Sequence, residues 1–442
     1  MLVEPRVVEE APTVVLKNAT ILPVVGEVIE SGSVVMQDHK IIAVSAGEVD
    51  VPDGAVVLDL KGKFITPGLI DVHSHLGAFS APHGQTLQDG NEATDPLTPG
   101  VWIEHSITTQ DPGFQDAIAG GVTALQILPG SANLVGGRGF VVEVVPRRGG
   151  RAMQFPGAAQ TVKMACGENP MRAYGGRKQA PSTRMGNVRA LRIAFDKAKE
   201  YQRKIEEYEK KLTDWEGEQS KKKKKRDDSS PPKPPARNLD QETLVGIMKG
   251  EILPQWHCYR ADDMLSMLQV AEEFGFSAHS FHHALEAYKI RDILAEHNVA
   301  AVTWPDWWGF KVEAYDGILE NVAFLHESGV RAILHSDSHT TIQRLNQEAA
   351  KAYYAGLAAG VKLSENDALS WVTLNSAWAL GIDDVTGSLE PGKRADIVVW
   401  DKHPFSVYAK AELVFVDGLL RHNANGEQAI WSDFELGQGV LP

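Results

Sequence analysis

The order of hydrophobic and polar positions divides the chain into three textures. Over residues 13–60, the segments TVVLKNATILPV, SGSVVMQDHKIIAVSA and AVVLDLKGKFITP alternate apolar and polar residues between Gly, Asp and Asn turns, the period of a half-buried strand. The same texture returns in GSLEPGKRADIVVWDKHPF and AELVFVDGLLRHN near the end. Neither end has enough strands for a stable sheet, so the two are expected to pair into one small β domain with the middle inserted. That middle alternates strand and helix. FITPGLIDVHSH reads as a strand and FQDAIAGGVTALQIL as a helix running into a strand. DDMLSMLQVAEEFG, EAYKIRDILAEHN, VAFLHESG and NQEAAKAYYAGLAAG carry apolar residues at helical spacing. Such alternation implies a parallel sheet, doubly wound or closed into a (β/α)8 barrel. No GxGxxG turn follows the first strand, which weighs against the doubly wound form.

One segment breaks the rhythm. Leu191, Ala194, Ala198, Tyr201, Ile205, Tyr208, Leu212 and Trp215 are spaced alternately by three and four, a heptad seam. Lys221–Lys225, Arg226 and SSPPKPP follow. We read 189–238 as an inserted, charged helical arm with a Lys/Pro-rich linker. The seam needs cover from the barrel wall, from the helix near 240–250, or from a second subunit in a homo-oligomer.

Length and charge narrow the function. The 442 residues suit one large domain or two. The formal charge of −14 does not suit a nucleic-acid binder, although residues 189–237 carry 16 basic against 10 acidic groups. No run of 18 apolar residues predicts a membrane span. The opening MLVEPRVVEEAPTVV lacks a basic segment followed by an apolar run. No signal peptide is therefore expected in the chain as given, which reads as cytoplasmic, or as periplasmic or secreted if a leader was removed. Cys166 and Cys258 exclude a disulfide scaffold and are expected to be buried thiols.

The chemistry lies at strand ends. In Asp71-Val72-His73-Ser74-His75, two imidazoles lie two apart at the end of a strand, on one face, where they can chelate one cation. Lys163 sits mid-strand in TVKMAC, and a buried ammonium is costly unless paired or neutralised. His257 ends a strand in LPQWHCY. SAHSFHH is expected to place His279, Phe281 and His283 on one face and His282 on the other. AILHSDSH puts Ile333, His335 and Asp337 on one face.

PGLIDVHSH, the isolated strand-end Lys, His, His and Asp, and the closing GSLEPGKRADIVVWD resemble the amidohydrolase superfamily. FHHALEAYKIRDIL and GENP after the lysine strand resemble its imidazolonepropionase-related members, although imidazolonepropionase itself has no bridging lysine. The resemblance covers roughly 15–425 apart from the arm. It implies an α/β fold: a (β/α)8 TIM-like barrel over 63–387, with a small β-sandwich from both chain ends, 12–62 and 388–425, and a tail at 426–442. It implies two divalent metal ions, zinc expected. His73 and His75 would hold the more buried ion and His257 and His283 the more exposed one. Lys163, carboxylated by CO2, would bridge them, and Asp337 would bind the buried ion and shuttle protons.

The expected reaction is hydrolysis of an amide or peptide-type C–N bond in a small molecule: a dipeptide, an N-acyl amino acid or a cyclic amide. Lactonase or phosphotriesterase chemistry fits the same site. Lys163 counts against a deaminase, and a non-catalytic assembly protein would be expected to have lost ligands. Tyr174, Arg177, His279, Trp304, Trp307 and His339 are candidate substrate-binding residues, in or near the loops that follow the strands. Trp304-Pro-Asp-Trp-Trp-Gly-Phe310 would wall a hydrophobic pocket or pack on the rim.

Overall fold

A computed structural model describes residues 9–47, 49–81, 84–221 and 230–426. His83, most of the lysine run and the tail beyond 426 lie outside the described residues. Five strands come first: β1 (Val14–Ile21), β2 (Ile29–Gln37), β3 (Lys40–Ala46), β4 (Val56–Asp59) and β5 (Phe64–Pro67). The middle of the chain supplies β6 (Leu69–Ser74), β7 (Val122–Ile127), β8 (Val135–Arg138), β9 (Phe140–Glu143), β10 (Gln160–Ala165), β11 (Ile252–His257), β12 (Ser280–His282), β13 (Ala300–Thr303) and β14 (Ala332–Leu334). The end adds β15 (Ile397–Trp400), β16 (Ala411–Val416) and β17 (Leu419–Asn423).

The two ends form one sheet, in the order β17-β16-β15-β5-β1-β2-β3 with β4 on β1. The join is the antiparallel pairing of β15 with β5, from Ile397 opposite Pro67 to Trp400 opposite Phe64. This sheet has its own apolar core, drawn from Leu16, Ile21, Ile65, Ile397 and Phe415 among others.

In the middle, β10 to β14 run parallel in sequence order, and β8 adds antiparallel to β10. A three-stranded sheet, β6-β7-β9, stands beside them. Ile70 and Val72 of β6, Ala124 of β7, Val141 of β9, Ala300 and Val302 of β13, and Ile333 of β14 share one buried cluster, so both sheets face one interior. Main-chain bonds close the far side: Asp337 N donates to His73 O (3.1 Å) and Ile70 N to Val372 O (2.8 Å). The link between β5 and β6 passes so close to β7 that a Cβ on Gly68 would lie 2.1 Å from Thr123 Oγ1. Only glycine allows that approach.

The heptad segment lies in a helix, Arg184–Lys221, that begins before the expected arm. Leu191, Ala194, Phe195 and Ala198 are buried in the main core with Leu244, Ile247 and Phe274. Ile205, Tyr208, Leu212 and Trp215, further along, are half-buried. The first half of the seam is thus part of the domain. The cysteines correct a second expectation. They are buried as foreseen, but Cys166 and Cys258, just past the ends of neighbouring strands β10 and β11, are joined as a disulfide with Cα atoms 5.4 Å apart. Parallel pairing in register brings the two positions together. Among the described residues no helix is long and apolar enough to cross a membrane.

Candidate metal centre

The histidines converge where β6, β10, β11, β12 and β14 end. His73 lies at the end of β6, fully buried, with the His75 ring 5.2 Å away and perpendicular to it. Asp71, one turn of the pleat earlier, ties this strand to β14: it accepts from His73 N (3.1 Å), Ser336 N (3.2 Å) and the Ser336 hydroxyl. Burial pushes its carboxyl up to about 7 against those hydrogen bonds.

The tautomers can be read from the partners. His75 Nδ1 lies 2.7 Å from Leu128 O, a carbonyl that only accepts, so Nδ1 carries the proton and the Nε2 lone pair points at the site, 3.2 Å from Asp337 Oδ1. Gln255 donates through Nε2 to Ala379 O (3.1 Å), which leaves its Oε1 to accept from His282 Nε2 (2.6 Å). Burial keeps the His282 ring neutral, so its Nδ1 is an acceptor. His73 Nδ1, 2.8 Å away, is therefore the donor. That frees the His73 Nε2 lone pair, which faces Lys163 Nζ (3.1 Å) and Asp337 Oδ1 (3.8 Å).

Lys163, from β10, is 1% exposed and also donates to Pro129 O (3.0 Å). Burial lowers its ammonium to about 7, so the neutral amine that reacts with CO2 is populated near neutral pH. Asp337 has φ 47°, in the left-handed region, which turns its carboxylate inward. Burial disfavours its charge, but the neighbouring His75, His335 and Lys163 outweigh this and hold it below the ordinary range.

His257 at the end of β11 and His283 beyond β12 have ring centroids 4.7 Å apart. The structure corrects the face expected for His279, Phe281 and His283. The inward face of β12 is that of Ser280 and His282, and Phe281 packs in the outer core. His283 reaches the site because its φ of 61° reverses the chain just past a three-residue strand. His279, at the other end of that strand, donates through Nε2 to Ala379 O (3.0 Å) and stacks on Trp378, away from the cluster.

Five buried ring nitrogens here have no hydrogen-bond partner among the described residues: both of His257, Nδ1 of His283 and both of His335. A dry, unpaired polar atom costs about 1–3 kcal/mol. The donor set therefore fits a cation better than packing. Two groupings have their donor atoms within 4.8 Å of one another: His73, His75 and Asp337, and His73, His283 and His335. Sequence reasoning left His335 and His282 without a role, although the alternation Ile333, His335, Asp337 pointed to the first.

A cavity of about 490 Å³ opens on Asp337, lined by Tyr259, Trp304, Asp306, Trp307, Trp308 and Phe310. Trp304 stacks on His283 (4.6 Å) and Trp307 on Trp304 (5.6 Å). Lys311 Nζ lies 4.0 Å over the Tyr259 ring and bonds Asn169 Oδ1 (2.9 Å) and Glu168 Oε1 (3.2 Å). The other candidates sit elsewhere. The Tyr174 hydroxyl is bonded to Asp95 O (2.8 Å) and Asn133 Oδ1 (2.6 Å). Arg177 donates to Ala93 O (2.6 Å) and lies over the Tyr174 ring. His339 is exposed and acts electrostatically on Asp116.

A family model described as the Amidohydrolase family matches residues 317–423. The amidohydrolase tasK of Hapsidospora irregularis is 33% identical over 404 residues, 88% of this chain. The chain spans 39% of the length of that curated relative. The crystal structure of an amidohydrolase from Thermotoga maritima MSB8 is 37% identical with a TM-score of 0.79, over 93% of this chain and 100% of the other. An adenosine deaminase from Xanthomonas campestris with bound zinc is 15% identical with a TM-score of 0.53, over 94% of both chains, a likeness of fold alone.

Proposed function

Because the chain belongs to the amidohydrolase family, we propose that it is a metal-dependent hydrolase that cleaves an amide or peptide-type C–N bond of a small substrate, on a barrel of the (β/α)8 type. The observation that carries this reading is the convergence of His73, His75, Lys163, His257, His283 and Asp337 near the strand ends, with buried ring nitrogens that nothing among the described residues satisfies.

Divalent ions in such a site acidify water and polarise a carbonyl oxygen. His73 and His75 present Nε2 lone pairs fixed by their other ring nitrogens, and His257 and His283 supply the second pair of imidazoles. Lys163 would join the two halves as its carbamate, the anionic form that makes a buried lysine compatible with neighbouring cations. Asp337 takes the proton from the attacking water and returns it to the leaving amine. Its depressed pKa keeps the carboxylate ionised and ready to accept.

The 490 Å³ pocket supports a substrate whose group next to the scissile bond is large and apolar. Trp304, Trp307 and Phe310 offer ring faces, and among the groups lining the pocket only Asp306 and Asp337 carry charge. An N-acyl amino acid or dipeptide with an aromatic residue fits that description.

The test is metal analysis joined to a hydrolysis screen. Purified protein should hold close to two divalent ions per chain and hydrolyse members of a dipeptide or N-acyl amino acid library. Both should be lost in His73→Ala. Metal-loaded protein that cleaves lactones or phosphotriesters but no amide would replace the bond assignment. Protein that takes up no divalent ion would end the hydrolase reading.

A further inference from the structure

Six donors account for the site as the family resemblance describes it, and His335 is not one of them. It lies just past β14, on the face of Ile333 and two residues before Asp337. Its side chain has no exposure to solvent. Neither ring nitrogen has a hydrogen-bond partner. The ring packs against His73 (5.2 Å), His283 (4.7 Å) and Trp304 (4.7 Å).

The same fold shows how it treats a histidine kept for structure. His282 has both nitrogens bonded, to His73 and Gln255, and His279 has Nε2 on Ala379 O. A neutral imidazole offers one N–H and one lone pair, and His335 spends neither. Its donor atom falls within 4.8 Å of those of His73 and His283. Nitrogens about 2.1 Å from one ion stand up to roughly 4 Å apart, a span that small side-chain rotations reach.

We propose that His335 is a metal ligand and that one of its ring nitrogens coordinates the ion held by His283. The proposal rests on reading the site as a metal centre. It also resolves a shortage. His282 occupies His73 Nδ1, so His73 has one free nitrogen and serves one ion. When that ion is the one at His75 and Asp337, His335 gives the His283 position an added imidazole. That ligand is neutral, so the ion keeps more of its positive charge for polarising a substrate.

The experiment is Co2+ titration of the metal-stripped full chain, followed by its visible ligand-field bands, with Zn2+ competition against a chromophoric chelator. His335→Asn and His335→Ala should weaken one bound ion by about 100-fold or more, above the range of about 10–100-fold seen when a supporting residue is lost. They should also change the band shape, and free imidazole should partly restore the His335→Ala spectrum. Circular dichroism checks folding, and His279→Gln, a buried histidine away from the cluster, should leave binding unchanged. Wild-type affinity and spectrum in both His335 variants would overturn the proposal while leaving the metal centre intact. A wild-type protein that binds no Co2+ would overturn both.

Discussion

Lys163 gives a prediction that separates its electrostatics from its chemistry. In chelator-treated protein, Lys163→Met replaces a buried amine with an uncharged chain of similar length. Burial takes the lysine from 10.5 to about 7. At ~1.4 kcal/mol per unit, that is a penalty of about 5 kcal/mol below pH 7, where folded and unfolded chains both hold the proton. Between pH 7 and 10.5 the unfolded chain keeps the proton and the folded chain does not, so stability contributed at this site rises with pH. Methionine abolishes that slope. It also strands Pro129 O and His73 Nε2, at about 1–3 kcal/mol each. The variant should therefore match or exceed the wild type in stability at pH 6 and fall behind it by pH 9, the difference changing by about 3 kcal/mol. Urea unfolding of both proteins at pH 6, 7.5 and 9 with chelator present measures this, and taking the difference cancels Asp71 and the histidines. A stability difference independent of pH would refute the argument.

Two further outcomes follow from other parts of the molecule. Arg394 is 7% exposed and pairs with Glu143, Asp396 and Asp417, joining the end of β9 to the C-terminal strands. Arg394→Met removes the cation these carboxylates share and should destabilise by about 3–5 kcal/mol, seen as a lower unfolding midpoint with metal content unchanged. Trp307→Ala opens the wall of the pocket, so kcat/KM should fall about 10-fold or more for substrates with an aromatic side chain and little for their alanine counterparts. Equal losses on both would argue against an apolar subsite.

The strand-end pattern was legible because alternation is a property of the strand itself. It put His73 at the mouth of β6 and Ile333, His335 and Asp337 on one face, and the structure gathers them. It failed where strands are short or have ended. β12 has three residues, and His279 and His283 flank it with φ values of 57° and 61°, so a shared face could not be carried across it. The hydrogen-bond path from Gln255 through His282 to His73 spans three strands and a tautomer, neither of which a single segment encodes. Tyr174 and Arg177 follow the lysine strand in sequence, but a helix takes them to Asp95 and Ala93 instead. The heptad seam was visible as spacing, whereas the depth to which its first turns sink into the core depends on the helices it meets.

The pairing of β15 with β5 also sets an order of events during synthesis. β5 is complete at Pro67, but the partner for its open edge begins at Ile397. A nascent chain must make the whole middle of the protein before that edge is covered. Until then β1 to β5 carry an unpaired border, the kind of surface that invites wrong partners. These late strands therefore complete a sheet begun more than 300 residues earlier, and a chain released before Trp400 would leave the ribosome with that edge bare.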